Sequence, residues 1–200
     1  MSLYRRHFMQ QAYLPEHDRL TYIENISDAF IDTGYIFKNF DKKVEIRFQQ
    51  MGVFATTHLC GASSNSNKNY VLNAYGGYNV WVGSTFYTRT NVKVGGLYDY
   101  SLEIKDGELV QTVNGAISRA RVPSVQAERS FYLFDVNSGR RLPIYRAALV
   151  RMYRARIYDG GLLVRDYIPV KRRRDGVVGL LDLIEHKFYL SPNGTKFIGG

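Results

Sequence analysis

The stretch LYDYSLEIKDGELVQTVNG, residues 97–115, decides the fold. Two strand-forming runs, Leu97 to Ile104 and Leu109 to Val113, each end on a turn dipeptide, Asp106-Gly107 and Asn114-Gly115. Both central positions of a type I′ turn need positive φ, so each dipeptide reads as a tight hairpin. Upstream, Val44-Glu45-Ile46-Arg47-Phe48-Gln49 alternates apolar and polar with period two, a strand with one buried face. Val53 to Cys60 follows a break at Gly52, and residues 63–69 form a polar loop. Tyr78 to Thr88 reads as an aromatic and β-branched strand, and Phe131 to Phe134 as a short one. Downstream, Leu149 to Tyr158 is a long strand turned by Asp159-Gly160-Gly161 into Leu162 to Val170. In it Tyr153, Ala155 and Ile157 are expected to face the core, with Arg154 and Arg156 pointing away. The chain closes with Gly176 to Leu180, His186 to Leu190, a turn at Pro192-Asn193-Gly194, and Lys196 to Ile198.

About a dozen short strands joined by hairpin chemistry predict an all-β domain of two packed antiparallel sheets. The 200 residues suffice for one sizeable core, and 45% hydrophobic with 22% charged residues is ordinary globular composition. Residues 1–19 read as an arm, a basic and partly amphipathic start that forms a short helix before Pro15. No apolar run is long enough to span a bilayer, and the first residues do not read as a secretory signal. The expectation is synthesis in the cytoplasm and no membrane. The single cysteine, Cys60, excludes an intrachain disulfide and reads as a small buried hydrophobe.

The net charge of +9 is concentrated. Residues 119–174 hold 14 Lys and Arg against Glu128, Asp135, Asp159 and Asp166, while residues 1–118 are balanced at 11 of each sign. Arg154, Arg156 and the run Lys171-Arg172-Arg173-Arg174 make up its basic face. Three readings stay open: a solvated face, docking to a subunit or another protein, or nucleic-acid binding. The last is the least expected, since no RNA- or DNA-reading motif accompanies the charge.

Three segments carry a family resemblance. Tyr22-Ile23-Glu24 with Phe30-Ile31-Asp32-Thr33-Gly34 resembles the opening of concanavalin A-like (LamG-like) modules in phage and prophage structural proteins. Arg156-Ile157-Tyr158-Asp159-Gly160 with Leu163-Val164-Arg165-Asp166-Tyr167-Ile168-Pro169 resembles their penultimate hairpin. Asp175-Gly176-Val177-Val178-Gly179-Leu180-Leu181-Asp182, Lys187-Phe188-Tyr189 and the final Gly-Gly resemble their ending. The resemblance spans residues 20–200 and implies a lectin-like jelly roll of two curved sheets on a virion protein of capsid, fibre or tail. The shared residues are turn glycines, core aliphatics and a capping Asp. They identify a scaffold, and a scaffold does not fix a function.

Catalytic chemistry is not evident. The paired strand-borne carboxylates of a glycoside hydrolase are missing. Glu103, Asp106 and Glu108 come nearest, but Asp106 occupies a hairpin turn. His7, His17, His58 and His186 are scattered without metal-ligand spacing. No cofactor and no metal centre is expected. Calcium is the ion the class leaves open, through Asp28, Asp32 and Asp41 in early loops. Sugar binding would use exposed aromatics. Trp81 and Tyr87 are expected on one strand face, with Tyr78 on the other, as ligand candidates. The expectation is a non-enzymatic virion structural or decoration protein, a homo-oligomer (dimer or trimer) docked to other virion proteins through Tyr4, Arg5, Arg6, Phe8 and Met9. The alternative is a lectin module for host surface glycan.

Overall fold

A computed structural model describes residues 14–52, 57–63, 70–74, 78–90, 93–139 and 146–200. The strands in chain order begin with β1 (His17–Arg19), β2 (Ile23–Glu24), β3 (Ile31–Asp32), β4 (Lys42–Gln50), β5 (Thr57–Ala62) and β6 (Tyr70–Ala74). Next come β7 (Tyr78–Val82), β8 (Thr85–Thr90), β9 (Leu97–Lys105), β10 (Glu108–Val113), β11 (Ala116–Arg121) and β12 (Tyr132–Leu133). The last six are β13 (Arg146–Ala147), β14 (Val150–Asp159), β15 (Leu162–Arg172), β16 (Val178–Asp182), β17 (Lys187–Tyr189) and β18 (Ile198–Gly199). Among the described residues there is no helix.

The strands form two sheets. The larger runs β11-β10-β9-β4-β14-β15-β16-β17, with β1 beside β15 and with β2 pairing β14 and β18. The smaller runs β3-β12-β5-β6-β7-β8, with β13 parallel to β5 and its other named pairings antiparallel. This is a two-sheet jelly-roll sandwich. Alternation builds its core: β4 buries Val44, Ile46 and Phe48 and turns Lys43, Glu45 and Arg47 outward. On the small sheet Leu59, Tyr70, Val80 and Val82 are buried, and Phe37 and Phe131 meet the Tyr70 ring at 5.4 and 5.8 Å. The expected turns form: Asp106 and Gly107 have φ of 50° and 71°, Asn114 and Gly115 48° and 84°. Cys60 is buried in β5.

Two expectations need correction. Tyr153 does not face the core, because a β-bulge between Met152 and Arg154 inserts one residue against β4. Met152 is fully buried in its stead, and Tyr153, half-buried, donates its hydroxyl to Gln49. The 78–88 stretch is a hairpin, not one strand: it turns at Gly83-Ser84, and Gly83 has φ of 61°. The sheet also starts inside the stretch assigned to the arm. His17, Asp18 and Arg19 pair with Arg172, Lys171 and Val170, and Leu14 packs on Ile168, Val170 and Leu181 over the outer face of the large sheet.

Candidate functional site

The outer face of the large sheet holds a cleft of about 360 Å³. Four strands build it, each through its outward-facing positions. β4 supplies Glu45 and Arg47, β9 Asp99 and Ser101, β10 Thr112, and β14 Arg154 and Arg156. The bulge at Tyr153 sets the β14 contribution by bringing Arg154 opposite Arg47 and Arg156 opposite Glu45. A second depression of about 350 Å³ lies along β4 beyond Glu45, lined by Asp41, Lys43, Glu103, Lys105, Tyr158 and Gly160 among others.

The charges of the cleft are interlocked. Arg154 binds Asp166 through two bonds, Nε to Oδ1 at 2.8 Å and Nη2 to Oδ2 at 2.6 Å. Arg156 stands 3.5 Å from Asp166 and 3.6 Å from Glu45. Glu45 also accepts from Lys43 at 2.7 Å and from the Tyr158 hydroxyl at 3.0 Å. Burial alone would raise the Glu45 pKa. Hydrogen bonds from Lys43 and Tyr158, with the charges of Lys43 and Arg156, hold it below the usual carboxylate range. Glu45 is therefore ionised at neutral pH, and a glycosidic oxygen would find no proton donor in it. The cleft offers guanidinium donors, carboxylate acceptors and two hydroxyls, a set that hydrogen-bonds a polar ligand.

The basic residues singled out in the sequence fall in two separate places. Arg154 and Arg156 enter the cleft. Lys171 to Arg174 lie where β15 turns into β16, and most are engaged. Arg172 binds Asp175 through 3.0 and 2.6 Å bonds, and this holds the Asp175 carboxyl down at about 2. Arg173 donates to Asp18 at 2.8 Å and to the Pro15 carbonyl at 3.0 Å, while Arg174 is 3.7 Å from Asp175.

Trp81 is 42% exposed on β7, in the other sheet from the cleft, between Val71 and Phe86 in register. Tyr87 sits on β8 opposite Val80, so it does not share a strand with Trp81. The side chains of Tyr78 and Tyr87 lie outside the described residues, as do Tyr4, Arg5, Arg6, Phe8 and Met9. Asp32 and Asp41 each accept a backbone N–H, from Gly34 and Asp106, and Asp28 is exposed. Among the described residues no three His, Cys, Asp or Glu side chains gather to hold a metal ion. The sequence reading missed Glu45, Arg47, Asp99, Ser101 and Thr112 as site residues. Their signal was the polar half of each alternating strand, which shows a face but not what faces it.

Comparison with protein-family models finds no match, and comparison with curated proteins finds none. Solved structures do match in shape. A Bacteroides ovatus protein proposed to bind carbohydrate superposes with a TM-score of 0.63 at 14% identity, over 91% of this chain and 60% of that one. Domains LG4-5 of the mouse laminin α1 chain superpose with a TM-score of 0.55 at 17% identity, over 74% of this chain and 44% of that one. The chain thus spans roughly half the length of these structures. At such identities the likeness is one of fold, and that fold is the concanavalin A-like, lectin-like jelly roll.

Proposed function

We propose that the chain is a non-catalytic carbohydrate-recognition module and that the outer cleft is its binding site. The carrying observation is the cleft itself: an open surface lined by charged and hydroxyl-bearing side chains, with Glu45 in it and Asp166 behind Arg154 both committed to cations. Sugar hydroxyls donate and accept at once, and interleaved Arg, Asp, Glu, Ser and Thr match that need. A glycan array followed by calorimetry tests it. Saccharide binding abolished by Thr112→Trp, which fills the cleft, and retained by Trp81→Ala is expected. Binding lost only with Trp81→Ala would move the site to the small sheet.

The same module suits a structural or decoration protein on a phage particle, where it would recognise host surface glycan as a homo-oligomer. The motif resemblance favours this reading. So does an exposed apolar rim beside the Asp159 turn, where Phe40 is 54% and Leu162 72% exposed and open to a neighbouring subunit or virion protein. Mass spectrometry of purified particles should find the chain, and light scattering should give a dimer or trimer. A monomer absent from particles would refute the virion reading and leave the glycan reading standing.

A further inference from the structure

Two rows of side chains cross the cleft. In one, Thr112, Ser101, Glu45, Arg156 and Asp166 follow each other in register from β10 to β15. This row holds two acids and one arginine, and its acids are partnered by Arg156 within the row and by Lys43 and Arg154 beside it. In the other row, two residues along the strands, Asp99, Arg47 and Arg154 are neighbours. Here two guanidinium-bearing residues stand directly opposite on adjacent antiparallel strands, an arrangement that repels. Arg154 reaches across to Asp166. Arg47 remains 53% exposed, and its ion pair with Asp99, itself 65% exposed, is long at 3.7 Å. The acids of the first row are held by close cations, while the second row holds a cation, Arg47, whose anion is weakly held.

We infer that the cleft takes an acidic saccharide, whose anionic substituent sits on Arg47 beside Arg154 while its ring hydroxyls meet Ser101, Thr112 and Glu45. This rests on the carbohydrate reading and specifies its ligand class. A guanidinium fork grips a carboxylate or sulfate bidentately, and an anion between two arginines relieves their repulsion. The rows are about 7 Å apart along the strands, the reach of a pyranose ring with its exocyclic group. Asp99 then acts as a displaceable stand-in for the ligand's own charge. Carboxylate and sulfate share this chemistry, and the probes below separate them.

The test is calorimetry with three probes: a hexuronate trimer, the same trimer carboxyl-reduced to the neutral hexose, and a sulfated neutral trimer. Tighter binding of the uronate or the sulfated trimer than of the neutral one is expected, weakening with added salt. Arg47→Ala should weaken the acidic ligand tenfold or more and the neutral one by a much smaller factor. Asp99→Ala should tighten the acidic ligand several-fold, a gain that general loss of structure could not produce. Equal binding of all three probes, indifferent to Arg47→Ala, would overturn the inference and spare the carbohydrate reading. No binding by any probe would overturn both. Competition by duplex DNA with the same Arg47 dependence would overturn it in favour of general polyanion binding.

Discussion

The Tyr35 hydroxyl donates to the Asp159 carboxylate at 2.7 Å, joining two chain segments 124 residues apart. The same carboxylate accepts the backbone N–H groups of Lys38 at 2.7 Å and Asn39 at 3.0 Å. Asp159 ends β14 and Tyr35 follows β3, so one side chain ties both sheets at the rim of the sandwich. Burial would raise its pKa. The donors at Lys38, Tyr35 and Asn39 outweigh that and lower it.

Asp159→Ala should therefore cost about 2 kcal/mol, since it removes the acceptor of two part-buried N–H groups and a phenol, and Tyr35→Phe about 1 kcal/mol. The Asp159 contribution is present above the unfolded pKa near 4 and is lost as pH falls through the lower folded value. Urea unfolding of wild type and both variants at pH 7 and pH 3 measures this. Equal midpoints for wild type and Asp159→Ala at pH 7 would refute it.

Asp135 behaves in the opposite sense. Burial pushes its carboxyl up to about 7, against the hydrogen bond from the Val136 N–H and with the Asp28 charge adding to the rise. Its Oδ2 is buried and accepts no hydrogen bond. The folded state favours the protonated acid. Stability from this group is thus intact below pH 4, declines as pH rises toward 7, and stays lost above. Asp135→Asn should gain on wild type steadily between pH 4 and 8 in thermal melts. Parallel pH profiles for the two proteins would contradict this.

Lys42 is 3% exposed, with its ammonium 2.5 Å from the Val125 carbonyl and over the rings of Phe37 and Tyr70. Burial lowers its pKa to about 8, opposed by the charges of Asp159 and Asp41. A lowered base penalises the folded state as it charges: the penalty starts near pH 10.5 on descent and is complete below 8. Lys42→Met should remove that part of the stability slope between pH 8 and 10.5. An unchanged slope by chemical denaturation would exclude it.

The Asn114 turn borders the cleft through Gly115. Asn114 has φ of 48°, accepts from the Asp99 N–H at 2.8 Å and donates to the Leu97 carbonyl at 3.1 Å. Asn114→Ala should cost about 2 kcal/mol, split between left-handed strain and lost hydrogen bonds, and Asn114→Gly about half that. Guanidinium melts of the two variants separate the terms. Identical losses would mean that the strain term is negligible.

The two hairpins at 106–107 and 114–115 and the buried face of β4 were legible from sequence, because positive φ and period-two alternation are properties of adjacent residues. Tyr153 was misread because a bulge forms only against a partner strand. The inserted residue is set by β4, about 100 positions earlier. Trp81 and Tyr87 were misplaced because Gly83-Ser84 gives a weaker turn signal than Asn-Gly or Asp-Gly. The cleft was half visible: Arg154-x-Arg156 marked an outward face, but nothing local tied it to Arg47 or Ser101.

By itself the sequence determined that this chain folds into strands closed by tight turns around an aliphatic and aromatic core. The tertiary structure decided what its charge does. Residues 119–174 carry a large local excess of Lys and Arg, yet Glu24, Glu45 and Asp18, all distant in sequence, bind its arginines. Backbone geometry is set within a few residues. Coulombic partners are set by strand register, which only the folded sheet brings within about 4 Å.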